Sequence, residues 1–174
     1  MIILKPSIGN FKGLFQREII GLATLSIIVV YFAHQSQWST LIPFLLAIAF
    51  ILDWAPTIYF TLSYYKINKG QEFKLDLTSI EVRKNGNSDR YTKDEIEEIE
   101  IFMSGNNPRF NIAYSAMEFF HYARLKMKNG EQIIITSLCA VQVDVVLEEH
   151  LKGVPLEYNW GFPNIGRLNR KGWY

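Results

Sequence analysis

Apolar and polar positions are spread very unevenly along this chain. From Ile19 to Leu52, 34 consecutive residues include no Asp, Glu, Lys or Arg. The stretch has one polar break, His34-Gln35-Ser36-Gln37-Trp38-Ser39-Thr40, and apolar character then resumes from Leu41 to about Leu62, interrupted only by Asp53. A helix crossing a bilayer needs about 20 apolar residues for about 30 Å of hydrocarbon. The pattern therefore predicts two helices, roughly Ile19 to Ala33 and Leu41 to Ser63, forming a transmembrane hairpin. Lys5, Lys12 and Arg17 precede it, Lys66 and Lys69 follow it, and its turn has no basic residue, so the positive-inside rule places both ends in the cytoplasm. The resulting expectation is a multi-pass protein of the cytoplasmic (inner) membrane. Pro56, inside the second helix, is expected to kink it.

Asp53 is the costly residue of this stretch, because a carboxylate within a spanning segment needs a partner or water. Its depth matches the level of Ala23, which makes Thr24 and Ser26 candidate hydrogen-bond partners. A partner on another subunit, or a proton or ion pathway, are the alternatives.

After Tyr65 the pattern changes, with 15 basic and 15 acidic residues in the remainder. Phe73 to Leu77 and Ile80 to Arg83 alternate apolar with polar, as strands do. Asn85-Gly86-Asn87 supplies a turn. Thr92-Lys93-Asp94-Glu95 has the spacing of a capping box and predicts a short helical turn. Ile99, Ile101 and Met103 alternate with Glu98, Glu100 and Phe102 in another strand, one face of which is acidic. Residues 109–117 show no clean period. Phe119 to Lys128, Asn129-Gly130 and Glu131 to Thr136 read as a hairpin closed by a two-residue turn. Ser137 is placed to cap a helix through Val141, Val145, Val146 and Leu151, ended by Gly153-Val154-Pro155. Six short strands and one closing helix predict a curled antiparallel sheet plugged by the helix, an α+β domain beside the α-helical hairpin.

Composition narrows the chemistry. With 18 Lys+Arg against 17 Asp+Glu, there is no basic excess of the kind that marks a nucleic-acid binder, and no nucleic-acid partner is expected. Cys139, the single cysteine, has no internal disulfide partner. Neither His121 nor His150 stands in a nucleophile-base spacing with it, so no catalytic residue is assigned and the chain is not expected to be an enzyme. Glu148-Glu149-His150 puts neighbours on different helix faces, and the acidic run Asp94 to Glu100 lacks the glycine and oxygen spacing of a calcium loop. No metal or cofactor is therefore expected.

Two features suit binding instead. Lys66, Lys69, Lys74, Arg83 and Lys84 cluster near the end of the second helix and could face anionic lipid, where each basic group is worth about 1 kcal/mol. The segment from Glu157 to Tyr174 carries Trp160, Phe162, Arg167, Arg170, Trp173 and Tyr174, the aromatic and Arg side chains that commonly anchor protein interfaces. Docking to a partner, packing back on the domain and lying at a membrane surface remain open for it.

The Tyr64-Tyr65-Lys66 exit, the Tyr91 to Ile101 segment, and Asn129 to Leu138 running into the last helix resemble bacterial pleckstrin-homology-like domain proteins anchored by a two-helix hairpin. The resemblance covers about residues 15–152. With the patterns above, it divides the chain into a cytoplasmic N-terminal segment at 1–18, a hairpin at 19–63 and a pleckstrin-like domain at 64–152, and the tail at 153–174 has no counterpart in that layout. It also suggests phosphoinositide binding without assigning a ligand, since one fold hosts many functions. The functional expectation is a non-catalytic membrane-anchored adaptor or accessory subunit, with membrane proteins, further copies of itself or membrane lipids as partners. The alternatives are an anionic-lipid-sensing module and a subunit of an ion or proton pathway using Asp53 and His34.

Overall fold

A computed structural model describes residues 1–11, 54–107, 116–161 and 163, together with 23, 26, 27, 30, 31, 44, 48 and 51. Alternating apolar residues build two four-stranded sheets. The first runs β1 (Ile2–Leu4), β2 (Gln71–Leu75), β3 (Ser79–Lys84) and β4 (Asn87–Thr92), all antiparallel. The second has the spatial order β7 (Gln132–Thr136), β6 (His121–Met127), β5 (Ile96–Met103) and β8 (Leu156–Trp160). Helix α1 (Ala55–Asn68) precedes β2, and α2 (Val143–His150) lies between β7 and β8.

The inward residues of both sheets, Phe73, Leu75, Ile80, Ile99, Ile101, Leu125 and Ile135 among them, form one core with Val143, Leu147 and Leu151 from α2 and its end. The α+β architecture with a helix covering the sheets agrees with the sequence expectation at that level. A second, smaller core lies beneath α1, where Phe60 and Tyr64 meet Phe120, Tyr122 and Leu138.

The expected multi-pass localisation is corrected here, while most of residues 19–53, where the hairpin is expected, lie outside the described residues. Among the described residues no helix is long and apolar enough to cross a membrane. Helix α1, which takes up the end of the expected second span, has 14 residues, short of the about 20 a crossing needs. Its apolarity has another cause: Phe60 and Tyr64 are spent on the second core. Pro56 stands in the first turn of α1, where its missing N–H is no loss, and π-helical backbone at Ile51 and Trp54 precedes it. Asp53 and Thr24 lie outside the described residues, whereas Ser26 is helical and half-buried.

Local chemistry explains most strand ends. Asn85 and Gly86 both take positive φ, 52° and 89°, as a two-residue hairpin turn requires, and Lys84 pairs with Asn87 across it. At Asn129-Gly130 only Gly130 has positive φ, so the turn is wider than predicted; its bonds are Gly130 N–H to Met127 O and Met127 N–H to Glu131 O. The capping box forms as expected: the Glu95 carboxylate accepts from the Thr92 N–H at 2.6 Å. Helix α2 starts at Val143, six residues after Ser137, because Leu138 and Cys139 are buried before it begins and the Ser137 hydroxyl accepts from the His121 N–H.

Candidate binding surfaces

The first surface is basic and lies where β2 starts and the β3–β4 hairpin turns. An open pocket of about 580 Å³ is lined there by Lys5, Gln71, Glu72, Arg83, Lys84 and Ser88, among others. Three cations face one carboxylate. Lys5 Nζ sits 2.8 Å from Glu72 Oε2, and that hydrogen bond holds the Glu72 carboxyl below the usual range. Beside the pocket, Glu81 accepts from Ser88 Oγ at 2.8 Å and from Arg83 Nε at 2.5 Å, and these bonds likewise lower its pKa. Of the five basic residues expected to face lipid, the pocket gathers Arg83 and Lys84. Lys69 borders it at Gly70, while Lys66 is exposed in the last turn of α1 and Lys74 sits on β2 opposite Glu81. The residue missed in this grouping is Lys5. Its place comes from β1 pairing with β2, Leu4 opposite Phe73, and no local period signals a contact across so much chain.

The second surface is apolar. On α1, Thr57, Phe60, Thr61, Tyr64 and Asn68 are buried, Phe60 and Tyr64 in the second core and Asn68 against β7, while Ile58, Tyr59, Leu62 and Tyr65 project outward on another face. Leu62 is 63% exposed and Tyr59 51%. The described residues of the preceding chain continue the same character, with Ile27, Val30, Tyr31, Phe44 and Ile51 all exposed. Single exposed apolar residues are ordinary, whereas a run of this kind is characteristic of surfaces that protein or lipid covers.

The outer face of the second sheet is self-satisfied by comparison. Glu98 and Glu100 of β5 lie opposite Lys126 and Arg124 of β6 and form ion pairs with them. The Glu98 hydrogen bond raises the pKa of Lys126. Phe102 stacks on Tyr122 at 4.8 Å with the Arg124 guanidinium over its ring. The acidic strand face foreseen from sequence is thus matched by its neighbour rather than offered to a cation.

No catalytic arrangement emerges among the described residues. His121 Nδ1 meets Phe119 O, and His150 Nδ1 meets Val146 O, each at 3.0 Å. No group of three or more His, Cys, Asp and Glu could hold a metal ion among the described residues. Burial pushes the Cys139 thiol up to about 12, which suppresses the thiolate needed for attack. A thiol reagent at pH 8 is accordingly expected to leave Cys139 unmodified in the folded chain and to label it fully in denaturant; rapid native labelling would contradict its burial.

Trp160 belongs to β8, stacked on Tyr158 at 5.7 Å, so the start of the aromatic segment packs back on the domain. Pro163 follows, buried, its carbonyl accepting from the Tyr64 hydroxyl at 3.0 Å. Phe162, Arg167, Arg170, Trp173 and Tyr174 lie outside the described residues.

A family described as "PH domain" matches residues 9–143, well over half of the chain. The chain belongs to the PH domain family. PH domains are typically non-catalytic modules that bind lipids or proteins, in keeping with the two surfaces above. No curated protein matches the chain. The PH domain match ends at the first residue of α2, so β8 lies beyond it.

Proposed function

We propose that this PH domain is a non-catalytic adaptor that docks a partner protein through the exposed side of α1. The observation that carries this reading is the two-sided apolarity of the helix: one side is anchored by Phe60 and Tyr64, and the other presents Ile58, Tyr59, Leu62 and Tyr65. A helix that is apolar all round belongs in an environment that covers it. Aromatic and aliphatic groups fixed on a rigid element are also efficient anchors, because little side-chain freedom remains to be lost on binding.

The test places a photo-crosslinking amino acid at Leu62 and, as a control, at the exposed Glu149 of α2, in the native cell. One protein partner captured at position 62 and not at 149, and lost when Ile58→Glu and Leu62→Glu are combined, is the expected result. Those substitutions touch an exposed face and should leave the melting temperature of the domain nearly unchanged. Recovery of the chain alone, with only phospholipid bound, would sink the adaptor reading.

The basic pocket favours a second reading, recognition of an anionic headgroup. Glu72 pairs with Lys5 and Glu81 with Arg83, which leaves Lys84 as the uncompensated positive charge of the pocket. That excess suits a phosphate-bearing ligand. Phospholipid recovery that disappears in the Lys5→Glu, Lys84→Glu double variant would move this reading to first place.

A further inference from the structure

The strand β8 lies beyond the PH domain match and occupies one edge of the second sheet. The five other strand pairings in the two sheets are antiparallel, whereas β8 lies parallel to β5, with Ile99 opposite Leu156 and Met103 opposite Trp160. Parallel pairing is slightly weaker per residue. The ladder is made by main chain: the Ile99 N–H donates to Pro155 O at 2.8 Å, and the Gly161 N–H donates to Met103 O at 2.9 Å. Such bonds are indifferent to which polypeptide supplies the strand.

Side chains add the selectivity. Leu156 and Tyr158 are partly buried against the main core, and Trp160 stacks on Tyr158 while staying 53% exposed. The Tyr158 hydroxyl donates to Asp144 Oδ2 at 3.4 Å, and that carboxylate is 1% exposed. Glycines bound the segment, Gly153 with φ 92° before it and Gly161 after it. The opposite edge of the same sheet is treated differently, for the Asn68 side chain closes it by bonding Ile134 O and the Thr136 N–H.

We propose that the β5 edge is a strand-acceptor site, held in cis by β8, whose ligand in trans is an extended segment of a partner protein carrying an apolar residue, a tyrosine and a second aromatic at alternate positions. β8 then acts as an internal competitor: it protects an edge that would otherwise pair indiscriminately and sets a threshold that a partner strand must exceed. This site is separate from the α1 face, so it stands or falls independently of the docking reading.

Two measurements on the full chain test it. In native-state hydrogen exchange, the β8 amides are expected to exchange by local opening, with protection about 100-fold or more below that of Ala123 and Leu125 in β6. The alternation that directs the Gly161 N–H to β5 directs the Asn159 N–H there too, so Asn159→Pro should detach the strand without entering the core. A labelled peptide spanning residues 154–162 should then bind the Asn159→Pro chain saturably and bind the unaltered chain about tenfold or more weakly; Tyr→Ala in the peptide should weaken binding further. The proposal is overturned if the β8 amides exchange only with global unfolding. It is also overturned if the folded variant, its β6 protection intact, ignores the peptide, or if the unaltered chain exchanges β8 between copies as a concentration-dependent dimer. Should Asn159→Pro fail to fold, the exchange measurement on the unaltered chain decides.

Discussion

Tyr64→Ala is expected to cost about 4 kcal/mol of folding stability, read as a lower urea midpoint at unchanged slope. The side chain is fully buried, with Phe60, Phe120 and Tyr122 set edge-on to its ring at 5.9, 5.4 and 6.2 Å. Truncation opens a void among three rings on different elements, and those elements are fixed by their own hydrogen bonds, so collapse around it is limited. Tyr64→Phe separates the ring from the hydroxyl. It keeps the packing and loses the bond to Pro163 O, for a cost of about 1 kcal/mol. Burial, with a smaller contribution from Tyr122, holds the Tyr64 pKa well above its ordinary value. The stability Tyr64 provides is therefore complete below its unfolded pKa of about 10 and declines as the pH rises from there toward the folded value. The Phe variant should lack that alkaline component. If Tyr64→Ala costs less than about 1.5 kcal/mol, the second core does not hold α1 and the exposed apolar face loses its rigid backing.

What could be read from the sequence follows from the range of the interactions involved. Strands β2, β3, β5, β6 and β7 announce themselves because each buries one face, and burial writes a two-residue period into the chain. The capping box and the Asn85-Gly86 turn are equally local. Strand β4, Asn-Ser-Asp-Arg-Tyr-Thr, has no period to read, since five of its six residues are exposed and it is held by β3 alone. Strands β1 and β8 escape for a different reason: each pairs with a partner distant in sequence, and neither is marked by a neighbouring turn.

The stretch around α1 is where the hydrophobic pattern and the structure part. Apolar residues on every side of a helix suit lipid, but they equally suit a helix with one face on a sheet and another presented to a partner. Periodicity cannot separate those cases. The deciding residue is Asn68, a polar side chain buried against β7 and bonded to Ile134 O and the Thr136 N–H. The basic cluster shows the same limit: charge proximity in sequence found Arg83 and Lys84, while Lys5 joins them only through sheet pairing.

Asn68→Leu is expected to cost about 3 kcal/mol. Asn68 ends α1 and is fully buried, and its amide serves β7 as another strand would. Nδ2 donates to Ile134 O at 2.7 Å and to Gln71 Oε1 at 3.0 Å; Oδ1 accepts from the Thr136 N–H at 3.0 Å and the Thr136 hydroxyl at 2.7 Å. Leucine has the same branching at Cγ, is bulkier and supplies none of these bonds, so a buried N–H and a buried C=O lose their partner at about 1–3 kcal/mol each, partly offset by the apolar side chain gained. Thr136→Val removes only the hydroxyl bond and should cost about 1 kcal/mol. The two effects should be less than additive, because both remove the same Thr136–Asn68 contact. Hydrogen exchange gives the sharper readout. In Asn68→Leu the Thr136 amide should lose protection ahead of the β6 amides, as the edge frays while the sheet persists. Equal loss across β6 and β7 would mean instead that Asn68 supports the whole sheet rather than its edge. Because α1 joins β7 through this residue, fraying there would also loosen the helix that carries Ile58, Leu62 and Tyr65, and partner capture at position 62 should fall with it.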